Sequence, residues 1–124
     1  MMWFAAIFGA LCAVNGVLML LYGVVWHAAV SPVVPIGHYH EHLVADAGAG
    51  FLAAGIGLIA RALRPRFWPI GVTVLGFILF HGVVHATGIT GGHAHDSVAS
   101  LSLFAIPALF ALWAAWPARA AARG

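Results

Sequence analysis

His42 and Asp46 stand four residues apart, and so do His81 and His85. On a helix that spacing places both members of a pair on one face. Imidazole with carboxylate suits zinc, copper(II), iron or manganese, and neutral imidazole is a common ligand for such metals. If the two helices are neighbours, His42, Asp46, His81 and His85 make a four-ligand site. A second group of candidates surrounds it: His38, His40 and Glu41 in "GHYHEHLVAD", and His93 and His95 in "GGHAHD". Histidine-rich tracts of this kind can collect a metal by themselves, as a shallower site or an entry funnel. Copper or zinc is the favoured occupant, with iron also compatible. Soft copper(I) would select thiolate and thioether. Cys12 and the three methionines, Met1, Met2 and Met19, all fall in the first apolar run, away from the histidines.

The plainer reading of the same residues is a hydrogen-bond network that pins two helices together. Other readings follow from the histidines alone. A pair on facing helices, such as His42 and His85, could ligate a haem, although no CxxCH motif for covalent attachment is present. Eight histidines on one side could also sense pH. No nucleophile–base–orienter set is visible, there is no lysine, and no glycine-rich phosphate loop occurs. The chain therefore reads as a metal-binding membrane protein rather than an enzyme on its own. It would act as an accessory subunit of a larger membrane metalloenzyme. A non-catalytic assembly subunit is the alternative.

These residues sit in a very apolar chain. Of 124 residues, 64% are hydrophobic and only 6% are charged, against roughly 25% charged in soluble domains. A small soluble domain could not hide that much apolar surface. The composition predicts an integral membrane protein with a single domain over residues 1–124. A spanning helix needs about 20 mostly apolar residues, and the sequence offers such runs near 3–26, 41–62, 69–87 and 97–116. Pro32, Pro35 and Gly37 break the first connection, and "RPRFWP" turns the second. The fold class is all-α, a membrane four-helix bundle.

Charge sets the orientation. Arg61, Arg64 and Arg66 cluster at the second connection, and Arg119 and Arg123 in the tail. Arginine excess marks cytoplasmic segments, so both termini are expected in the cytoplasm. The histidines, with Glu41, Asp46 and Asp96, then face the outside of an inner (plasma) membrane, the periplasm in a Gram-negative cell. The arginines lie beside apolar spans, so nucleic acid is not an expected partner. Lipid, further membrane subunits or a second copy are. Depth is consistent with the four-ligand site. Counting from Arg61, Asp46 lies about 22 Å up the second helix, and counting from Pro69, His81 and His85 lie about 18 and 24 Å up the third.

Asn15, Met19, Tyr22 and Trp26 form a stripe at helical spacing in the first run, and Gly48, Gly50, Gly55 and Gly57 offer close helix contact in the second. The stretch "HLVADAGAGFLAAG", with His42 and Asp46 opening the second helix, resembles small four-helix bacterial membrane proteins of unknown function. The resemblance covers most of the chain. It implies the bundle and carries no activity.

Overall fold

The computed structural model describes residues 2–32 and 38–87, with side chains for 3–32 and 38–84, and two isolated exposed helical positions, Ile106 and Leu109. Among these residues the chain is all-helical, with three long helices: α1 (Met2–Val30), α2 (Glu41–Leu63) and α3 (Trp68–Thr87). Each is long and apolar enough to cross a membrane. The fourth run expected at 97–116 lies outside the described residues, apart from those two positions. α1 continues four residues beyond Trp26, because the first helix-breaking proline is Pro32. A single 3-10 turn, Pro65–Phe67, joins α2 to α3. Its Phe67 amide donates to the Arg64 carbonyl at 3.0 Å, and the Arg66 guanidinium lies 5.1 Å over the Phe67 ring.

The buried positions of α1 are Ala5, Gly9, Cys12, Gly16 and Met19, and half-buried Gly23 and Trp26 extend the row. Steps of four and three are the heptad signature of helices that coil around each other. α2 answers with Val44, Gly48, Phe51, Gly55 and Leu58. The two helices run antiparallel, with Gly16 opposite Gly48 and Gly9 opposite Gly55. At these levels backbone meets backbone. A Cβ at Gly16 would stand 2.5 Å from the Leu52 amide nitrogen and 2.6 Å from the Gly48 carbonyl oxygen. One at Gly55 would stand 2.5 Å from the Gly9 carbonyl oxygen. In lipid no hydrophobic force draws two apolar helices together, so close van der Waals packing over small residues takes its place. The opposite face of α1 carries exposed Trp3, Ile7, Leu11, Val14, Leu21 and Val25, the side that a bilayer would solvate.

α3 packs on a different side of α2 and by a different device. Its side chains drop into notches left by glycines. The Phe77 ring fills the space over Gly50, and Val74 with Ile70 covers Gly57. At the far end the notch is reversed: the Arg61 stem lies over Gly71. Arg61 is therefore a buried residue within α2, only 4% exposed, rather than a loop residue like exposed Arg64 and Arg66. Its charge lies in the last turn of α2 and Glu41 in the first, both complementing the helix dipole. Among the described residues α1 and α3 make no contact, so α2 is the central element.

Glycines at the two kinds of position should respond oppositely to alanine. Gly16→Ala forces backbone apart and should cost about 1–3 kcal/mol, the range of overpacking. Gly76 has nothing within 4 Å of its Cβ position, so Gly76→Ala should be neutral or stabilise α3 by up to ~1 kcal/mol. Unfolding followed by circular dichroism in mixed detergent micelles reads both.

Candidate functional site

The antiparallel order α1–α2–α3 brings the end of α1, the start of α2 and the end of α3 to one end of the molecule. Every histidine among the described residues lies toward that end: His27, His38, His40, His42, His81 and His85. His38, His40, Glu41, His42 and Asp46 are exposed. His40 occupies the N-cap of α2 without a side-chain capping bond, and its carbonyl accepts from the Val44 amide at 3.0 Å. His27 places its ring edge-on to Tyr39, with centroids 5.5 Å apart. That contact closes the end of α1 against the segment that enters α2.

His81 is held differently. Its ring is 5.3 Å from Phe51 in an edge-on arrangement and 5.8 Å from Phe77 in a stacked one. Phe51 and Phe77 themselves meet edge-on at 6.0 Å. The half-buried imidazole thus completes an aromatic cluster between α2 and α3. Depth explains the arrangement. Because Arg61 packs on Gly71, those two residues are level. Counting ten residues outward from each gives Phe51 on α2 and His81 on α3, both about 15 Å up. Asp46 lies about 7.5 Å further out along α2. The Phe77 ring meets Gly50, and Asp46 and His81 each lie four residues outward from that contact.

Among the described residues no three His, Cys, Asp or Glu side chains form a group that could hold a metal ion. His42, Asp46 and His81 are all described and do not form one. The side chain of His85, together with His93 and His95, lies outside the described residues. No family model matches the chain, and neither a curated protein nor a solved structure resembles it significantly. Its chemistry has to be read from its own geometry.

That geometry includes a feature of α1 that the sequence stripe only hinted at. Tyr22 leaves the helical region, with φ −132° and ψ 36°, and kinks α1 in its outer third. Across the kink, Trp26 Nε1–H donates to Asn15 Oδ1 at 2.9 Å, and Asn15 Nδ2–H donates to Met19 Sδ at 3.4 Å. Residues 15 and 26 of a straight helix would lie about 16 Å apart along its axis. The bend at Tyr22 shortens that path and lets the indole reach back. Beside the kink a cavity of about 390 Å³ opens, lined by residues 19–25 of α1 with Tyr39, Glu41 and Ala45. Tyr39 lies over Gly23, where a Cβ would approach its hydroxyl to 3.0 Å. The stripe of Asn15, Met19, Tyr22 and Trp26 was visible in the sequence. Nothing in it marked Tyr22 as the break, since neither proline nor a glycine pair stands there.

A double-mutant cycle on Asn15→Leu and Trp26→Phe should return a coupling near 0.6 kcal/mol and below about 1.7 kcal/mol, the span found for hydrogen bonds between membrane helices. Thermal unfolding in detergent measures it, and additivity of the two substitutions would remove the bridge.

Proposed function

We propose that the chain is an integral membrane protein of the inner membrane that binds a transition metal, copper or zinc, at its histidine-bearing outer end. It serves there as an accessory subunit of a larger membrane assembly. The observation that carries this reading is Asp46. It is exposed and sits in the second turn of a helix long and apolar enough to span the bilayer. An ionisable group at such depth is costly and calls for a partner. A metal shared with His42 and His85 supplies one, and a neighbouring subunit supplies the remaining cover for the exposed face. His38 and His40, with Glu41, stand just outside and suit ion entry. The arginines at the opposite end support an outward-facing histidine end.

The aromatic packing of His81 favours a second role for that residue. Between Phe51 and Phe77 it serves helix association, and the metal site of this reading rests on His42, Asp46 and His85. Elemental analysis of the purified protein separates the two roles. Wild type should carry about one equivalent of copper or zinc. Loss of a direct ligand should cost at least the ~10–100-fold in affinity that loss of an outer hydrogen-bond partner costs, so His42→Ala, Asp46→Ala and His85→Ala should each come out nearly metal-free. His81→Ala should keep its metal and lose stability, by roughly 1–3 kcal/mol for the aromatic contacts given up. Near-zero metal in wild type would end the proposal.

A further inference from the structure

α2 carries three rows of side chains at heptad spacing, and two of them are filled. Val44, Gly48, Gly55 and Leu58 meet α1, and Gly50, Gly57 and Arg61 meet α3. The third row is His42, Asp46, Ala49, Ala53, Ile56, Ala60 and Leu63, in alternating steps of four and three. All of them are exposed except half-buried Ala60. The row is about 31 Å long at the helical rise, close to the thickness of a bilayer core. Such a sustained alternation is the pattern of a seam between coiled helices. Its composition differs from that of a lipid-facing side. The outer side of α1 is bulky and wholly apolar, with Trp3, Ile7, Leu11, Val14, Leu21 and Val25. The α2 row has alanine at 49, 53 and 60, and an imidazole and a carboxylate at its outer end. Small side chains let a neighbouring helix come close, and ionisable groups within a span face a partner or a cavity. Among the described residues no third His, Cys, Asp or Glu joins His42 and Asp46 in a group.

We propose that a second copy of this chain docks on this face, pairing the two α2 helices in parallel about a two-fold axis. The membrane selects that geometry. Copies of one chain insert with one orientation, so a closed pair has its axis along the bilayer normal and sets each residue of the row beside its own counterpart. Alanine then meets alanine at 49, 53 and 60. At the outer end two imidazoles stand one turn beyond two carboxylates, and each Asp46 has the partner's His42 within reach as well as its own. A polar residue at one level of such a seam fixes register and strand number. A second copy therefore brings complementary groups to the depth of Asp46 by symmetry alone. The rival occupant is the chain's own apolar run at 97–116, which holds no His, Asp, Glu, Lys or Arg to answer that carboxylate. The pairing rests on the membrane-spanning part of the reading above, whose neighbouring subunit it names, and it does not need the ion.

The experiment cross-links the full-length protein in liposomes, with EDTA present throughout. Single cysteines are placed in a Cys12→Ala background and oxidised with iodine. Ala49→Cys, Ala53→Cys and Ile56→Cys should give mostly covalent dimer, and Val14→Cys on the outer side of α1 should give little. Sedimentation equilibrium in detergent reads the association without a cross-link. Ala53→Leu, which a lipid-facing surface would accept, should weaken it at least tenfold and leave the circular dichroism of the monomer unchanged. If Ala53→Leu does not fold, the smaller step Ala53→Val takes its place. A monomeric wild type, equal cross-linking from Val14→Cys, or undiminished association in the Ala53 variant would each overturn the pairing. So would a preference of Ala53→Cys for a cysteine at position 109 of the same chain, which assigns the face to the fourth apolar run. A dimer without metal and a metal-loaded monomer are separate results, so either proposal can fail without the other.

Discussion

The contact on which the rest of the molecule depends is backbone against backbone between α1 and α2. Where Gly16 faces Gly48 and Gly9 faces Gly55, there is no room for a side chain. That approach fixes the separation of the two helices and their register together. A slide by one turn would bring Met19 or Cys12 into a level that admits only hydrogen. With the register fixed, Gly23 is delivered under Tyr39, and the α1 kink is delivered beside Glu41. The non-glycine residues of the α1 row increase in size from buried Ala5 through Cys12 and Met19 to half-buried Trp26. The pair is therefore tightest toward the arginine-bearing end and fuller at the histidine-bearing end. Room for polar groups lies where the packing is bulkiest and the contact least close.

α3 is attached by weaker geometric demands. Its Phe77, Val74 and Ile70 enter notches on α2, and these are side chains that can rotate, not backbone that must be moved. The aromatic cluster of Phe51, Phe77 and His81 adds directional contacts at mid-depth. Buried Arg61 anchors the other end over Gly71. A histidine serving as an aromatic partner and an arginine serving through its stem show how polar residues in an apolar chain can carry packing as well as chemistry.

Much of this was legible in the residues. Long apolar runs bounded by Pro32, Pro35 and "RPRFWP" placed three helices to within a few positions, because run length against bilayer thickness is a coarse but strong constraint. The gathering of histidines at one end followed from antiparallel order. The packing of the His81 ring did not, because it depends on which side chains of α2 and α3 meet, and here those are Phe51 and Phe77. The glycines of α2 were visible as a packing surface. The partners Gly9 and Gly16, continued at the same spacing of seven by Gly23 under Tyr39, carried an equally clear signal in α1. The Tyr22 kink was not readable, since no proline or glycine pair marks it in the sequence.

The lack of contact between α1 and α3 among the described residues has a bearing on biogenesis. The face that α1 and α2 share is made entirely within the first 63 residues. An inserting hairpin of this kind needs no later segment to set its register, so the order of synthesis matches the order of dependence. The third helix packs on the side of α2 that α1 leaves open.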